Sequence, residues 1–175
     1  NHIQLSHDIM MYIWQPLESA TLRADLNELI DLAHAYGITD VTVWTHEFGT
    51  HGLPVTCREN NSPSGRVDGD KAATWDWTRG CYNQLFSAGT GCPELDGVVV
   101  TYSEVDGVEL WNTGQFKFNG TGADAVKKSI QTVQAACHTY GKTFYARTWA
   151  GTNQFDVRDG VANSNDTTTW MMSKN

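Results

Sequence analysis

Two glutamates, Glu47 and Glu104, each stand directly after an apolar, β-rich run: Val41-Thr42-Val43-Trp44-Thr45-His46 before the first, Val98-Val99-Val100-Thr101-Tyr102-Ser103 before the second. Paired carboxyls are the equipment of glycoside hydrolysis, one as acid and the other as nucleophile or base. They stand about 5–5.5 Å apart for retention and about 6.5–9.5 Å for inversion. Carboxyls on adjacent parallel strands, with backbones roughly 4.8 Å apart, can meet the shorter spacing. Asp106 and Glu109 offer further carboxyls in the segment after Glu104. Arg147, inside Phe144-Tyr145-Ala146-Arg147-Thr148-Trp149, needs a carboxylate if buried. Glu104 is the obvious partner; the planar guanidinium also suits a sugar carboxylate. The chain holds seven tryptophans. Trp14, Trp44 and Trp149 end apolar runs, and Trp111 follows Glu104 in a loop. Indoles stack on sugar rings and donate an N–H to a hydroxyl. His46 completes the set, bonding sugar hydroxyls or tuning Glu47. On the competing account the acids cap helices or pair with Arg147, and the indoles fill a core.

Other chemistries fit poorly. His46, Glu47 and His51 approach the zinc motif His-Glu-x-x-His, but the second His comes one residue late and Gly49 opposes a helix. No metal or cofactor is assigned. Gly89-Thr90-Gly91 precedes a strand rather than joining strand to helix, so it is no dinucleotide fingerprint. A Gly-x-Ser-x-Gly elbow is absent. The net charge of −8 argues against nucleic acid. No apolar run approaches the ~20 residues of a membrane span.

Strands are predicted over residues 9–14, 38–45, 95–102 and 142–149, and helices over 19–37, 71–87 and 123–140. Leu22, Leu26, Leu29, Ile30 and Ala33 recur at helical spacing, as do Val126, Ile130, Val133 and Cys137. Ser19 is a natural N-cap; Gly37 and Gly141 are natural stops. Residues 46–70 and 105–122 read as long loops, and the tail from 150 shows no core element. The alternation predicts an α/β fold of parallel β-α-β-α-β-α-β units, part of a TIM-type (β/α) barrel. Both long loops then fall on the carboxyl side of the strands, where active sites form. Residues 1–149 would be the partial barrel, and 150–175 a loop-rich tail or the start of a continuation. At 175 residues the chain is short for a closed barrel, which takes about 250. It reads as a piece of a larger protein or a small open domain.

Leu95-Asp96-Gly97-Val98-Val99-Val100-Thr101-Tyr102-Ser103-Glu104 resembles the strand-ending acid motifs of barrel glycoside hydrolases. It is similar to the chitinase pattern Asp-Gly-x-Asp-x-Asp-x-Glu, with Val99 and Thr101 at the inner aspartates and Glu104 one position late. The resemblance implies a (β/α)-barrel glycosidase. In the large retaining clan the two glutamates sit on non-adjacent strands, whereas Glu47 and Glu104 would sit on neighbours.

Cys57, Cys81, Cys92 and Cys137 admit three pairings and match no zinc spacing. Asn60-Asn61-Ser62, Asn119-Gly120-Thr121 and Asn165-Asp166-Thr167 are glycosylation sequons. Together they point to a secreted, disulfide-bearing glycoprotein. Two functions are carried forward. One is a glycoside hydrolase acting on polysaccharide or oligosaccharide, with Glu104 and Glu47 catalytic and Trp14, Trp44, His46, Trp111, Arg147 and Trp149 binding substrate. The other is a non-catalytic carbohydrate-binding or assembly domain. The expected protein partner is the remainder of the barrel or a second copy.

Overall fold

The computed structural model describes residues 1–5, 15–46, 52–102, 114, 116–149, 154–164 and 170–174. Five strands form the main sheet: β1 (His2–Leu5), β2 (Asp40–His46), β4 (Gly97–Thr101), β6 (Thr143–Trp149) and β7 (Trp170–Lys174). Two short strands, β3 (Val67–Asp68) and β5 (Phe116–Lys117), pair separately. The helices are α1 (Gln15–Glu18), α2 (Ala20–Ala35), α3 (Ala72–Phe86), α4 (Gly122–Tyr140) and α5 (Gln154–Asn163). None of them is long and apolar enough to cross a membrane.

Every pairing in the main sheet is parallel, in the order β1-β2-β4-β6-β7. The order follows the chain without reversing, so the switch point of a doubly wound sheet is absent among the described strands. Right-handed crossovers in such an order place all the helices on one face. Burial agrees. Val41, Val43, Val98, Val100, Phe144 and Ala146 join one core with Leu26 and Ile30 of α2, Tyr82 and Leu85 of α3, and Val126, Ile130 and Val133 of α4. The fold is α/β with an open parallel sheet; the described strands close no barrel.

The helices begin and end where local chemistry dictates. Ser19 Oγ accepts the Leu22 N–H at 3.2 Å and starts α2. Gly37, at φ 82°, follows its last turn. Thr121 and Asp124 form a reciprocal capping box at the start of α4, and Gly141 ends it in the left-handed region at φ 66°. Leu26, Ile30, Val126 and Ile130 are fully buried, each worth about 1.5–3 kcal/mol.

The amino ends of the strands are held by one residue. Asp96 Oδ2 accepts the Val41 N–H at 2.7 Å and lies 2.8 Å from His34 Nε2. The Asp96 backbone bonds Val41 O on one side and the Thr143 N–H on the other. It therefore sets the register of three strands. Next to it, a Cβ on Gly97 would sit 2.4 Å from Thr143 O, so β4 and β6 can approach only if this residue is glycine. The Asp96-Gly97 pair of the chitinase-like segment thus has a structural task at the amino end of β4.

Several expectations change. The first strand is His2–Leu5; the predicted strand at residues 9–14 lies outside the described residues. The tail supplies α5 and the fifth strand, β7, with Val157 fully buried. The supposed loop 46–70 contains two 3-10 turns and β3. Trp75 of α3 is 5% exposed and donates to Gly69 O at 2.7 Å, as core filler with a satisfied N–H. No disulfide forms: all four cysteines are buried free thiols. Burial pushes Cys81 and Cys137 up to about 12 and Cys92 up to about 11, so these thiols stay protonated and unreactive.

Candidate functional site

Side chains alternate along a strand, so the face turned away from the helices carries Thr42, Trp44 and His46 of β2, Val99 and Thr101 of β4, and Tyr145 and Arg147 of β6. The register aligns His46 with Thr101 and Thr101 with Arg147. These three residues, far apart in sequence, form one rung across three adjacent strands at their carboxyl ends. Trp44 lies on the same face, two residues before His46.

Thr101 is the hub of this rung. Its hydroxyl oxygen accepts the Trp44 indole N–H and also a 3.3 Å bond from Arg147 Nη1. The Arg147 guanidinium carbon sits 4.9 Å from the centre of the Trp44 ring, within cation–π range. The His46 ring is 5.1 Å from the same indole, tilted by 51°. Trp44 is 6% exposed, while Arg147 and His46 are half-buried. The arrangement gathers a guanidinium and an imidazole around one indole at the carboxyl ends of the strands.

Trp44, His46 and Arg147 are thus brought together as the sequence anticipates, but Trp44 takes a different part. Its face carries Arg147 and its N–H serves Thr101, so it positions the guanidinium rather than offering an open platform. Thr101 was not singled out by the sequence. The signal was its place at an inner aspartate of the resembling motif. Glu47 and Glu104, with Trp14 and Trp111, lie outside the described residues. So does the side chain of Trp149, the last residue of β6. The strands that precede the two glutamates, β2 and β4, are immediate neighbours. Among the described residues no three His, Cys, Asp or Glu side chains gather as metal ligands.

The connections after β2 and β4 are tied together. β3 pairs with β5 in parallel, Lys117 Nζ lies 3.2 Å from the buried Asp68 Oδ2, and Asp70 Oδ1 accepts the Asn119 N–H at 2.7 Å. Leu53, Cys57, Val67 and Phe116 of these connections join the core that the helices share with the sheet. Nearer the amino ends, on the same face, Tyr145 donates to Asp40 Oδ2 at 2.9 Å, and His2 stacks on Tyr145 at 5.5 Å. Burial and the Asp40 carboxylate push Tyr145 up to about 12. A groove of about 510 Å3 lies elsewhere, between α2 and the turn before β4, lined by Arg23, Asn27 and Glu94 among others. It belongs to the helical layer, away from the rung.

No protein-family model, curated protein or solved structure matches this chain. The geometry of the rim and the chemistry of its residues therefore carry the functional reading.

Proposed function

We propose that this chain is part of a secreted (β/α)-barrel glycosidase that cleaves polysaccharide with a pair of carboxyls. Glu104 acts as acid/base or nucleophile, Glu47 as its partner, and His46 and Arg147 orient substrate or balance charge. The observation that carries this reading is the rung His46–Thr101–Arg147 at the carboxyl ends of neighbouring parallel strands, the side on which barrel enzymes build their sites. The sequence puts Glu47 one residue beyond the end of β2 and Glu104 three beyond the end of β4. Polysaccharides offer the hydroxyls, ring faces and, in uronic acids, carboxylates that such residues engage.

One observation favours a second reading, a non-catalytic carbohydrate-binding domain: Trp44 and Thr101 spend their polar groups on each other and on Arg147. Release of reducing ends from a panel of neutral and acidic polysaccharides, by wild type and Glu104→Gln, separates the two. The glycosidase reading requires wild-type cleavage and a loss of about a thousandfold or more in the variant at unchanged circular dichroism. Undiminished cleavage by Glu104→Gln removes the carboxyl pair, and binding without cleavage by wild type establishes the second reading.

A further inference from the structure

The turn between β5 and α4 reads Phe118-Asn119-Gly120-Thr121, and it is anchored along its length. Phe118 packs against the core. The Asn119 N–H is taken by Asp70 Oδ1 at 2.7 Å. A Cβ on Gly120 would sit 2.8 Å from a carbon of the Phe118 ring. Thr121 is held most fully. Its hydroxyl donates to Asp124 Oδ2 at 2.7 Å and accepts the Asp124 N–H at 3.1 Å, and its own N–H reaches the same carboxylate at 3.0 Å. The Asn119 side chain stands apart from these bonds. The residue is exposed, and its carboxamide bonds no described residue.

An asparagine two places before a threonine or serine is the acceptor of N-linked sugar in the secretory pathway. In that transfer the asparagine Nδ2 forms a bond to C1 of an oligosaccharide carried on a polyprenyl diphosphate. The bond from C1 to the diphosphate oxygen breaks, the lipid diphosphate leaves with the electron pair, and the amide gives up one proton. The acceptor site is recognised through the hydroxyl two residues on. Here that hydroxyl is closed into the capping box of α4, so transfer has to precede the folding of this helix. The finished fold then keeps the sugar at no cost, because its attachment breaks no bond among the described residues. The sequon at Asn60 is different. Pro63 follows Ser62, and a proline holds the residue before it in extended backbone. Ser62 is extended, at φ −98° and ψ 136°, away from a turn that would carry its hydroxyl back toward Asn60. Asn165 lies outside the described residues.

We infer that Asn119, and not Asn60, carries an N-linked oligosaccharide, added before α4 forms. The sugar stands at the start of α4, beside the Asp70–Asn119 bond that helps to tie the two connections together. This inference rests on the secreted part of the function proposed above and not on its cleavage chemistry.

The test routes the chain through the secretory pathway of eukaryotic cells behind a cleavable leader. Peptide N-glycanase converts a glycosylated asparagine to aspartate. In water enriched in heavy oxygen it should leave labelled aspartate at position 119 and unchanged asparagine at position 60. Asn119→Gln should lose this sugar at unchanged circular dichroism. Thr121→Ser, which keeps a hydroxyl for both the sequon and the cap, should retain it. Chain folded without sugar in bacteria should stay unmodified when given the transferase and its polyprenyl-linked donor. An unmodified Asn119 in the secreted chain, a sugar on Asn60, or modification of the already folded chain overturns the inference. Failure of the secreted reading would show separately, as native protein held inside its cells.

Discussion

The two ends of the same strands are built differently. At the amino ends, register is set by backbone and one short side chain: Asp96 ties β2, β4 and β6, and Gly97 lets two of them close up. At the carboxyl ends, long polar and aromatic side chains from three strands meet on Thr101. Backbone bonds are cheap to satisfy and tolerate few substitutions, so the first end serves stability. The second end places an arginine and an imidazole at a rim, where stability alone asks for neither. The contrast is the division expected of parallel α/β folds, in which turns before the strands hold the scaffold and loops after them carry chemistry.

The sharpest way to break this comparison is to exchange the effects. Glu104→Gln should lower turnover about a thousandfold, roughly 4 kcal/mol of barrier, with no change in Tm. Asp96→Ala should do the reverse, costing about 2–3 kcal/mol of stability because a buried amide loses its acceptor and His34 its partner. Urea denaturation and turnover per folded molecule measure both. If Asp96→Ala abolishes turnover while leaving stability intact, the division of labour is wrong.

Within the carboxyl end, Trp44→Phe keeps the ring and deletes the N–H to Thr101. A loss of about 1 kcal/mol in stability is expected, with a rise in KM larger than any fall in kcat, as Arg147 loses its fixed position. An unchanged KM would make the rung structural only. Away from both ends, Thr121→Ala removes the capping box of α4 and should cost about 1 kcal/mol by denaturation. Its partner Asp124 is held below the usual carboxylate range mainly by the Thr121 side chain. That stabilisation is present above the unfolded value of 3.8 and fades as pH falls below it.

The smallest effect near neutrality belongs to Tyr145. Its folded pKa is raised from 10 to about 12, so the phenol stays protonated when an unfolded tyrosine would ionise. The stabilisation is complete below pH 10 and disappears as pH rises toward 12. Tyr145→Phe should flatten the stability decline across that window and leave unchanged the number of tyrosines that ionise by pH 11 in an ultraviolet titration. A full complement of ionised tyrosines at pH 11 would detach Tyr145 from Asp40.

Some elements were legible because their signal is local. α4 carries a four-residue apolar stripe between a capping box and a glycine, and both caps of α2 lie in its own sequence. β2, β4 and β6 are apolar and bounded by turn residues. β1 escaped because His-Ile-Gln-Leu is too short and mixed to stand out. α5 escaped because Val157, Gly160 and Val161, which meet the core, are set among polar residues in a run of ten. β3 and β5 are two residues each and exist only because they pair. The tryptophan ensemble divided in a way no count could foresee, Trp75 going to the core and Trp44 to the rim.

Taken alone, the sequence determined that strands and helices alternate, that the sheet is parallel, and that Trp44, His46 and Arg147 stand near strand ends. Those properties depend on neighbours a few residues away. Only the tertiary structure decided that His46, Thr101 and Arg147 share one rung and that Thr101 ties Trp44 to Arg147. That outcome depends on registers between strands some fifty residues apart, set at the far end by the bonds of Asp96 and the missing side chain of Gly97.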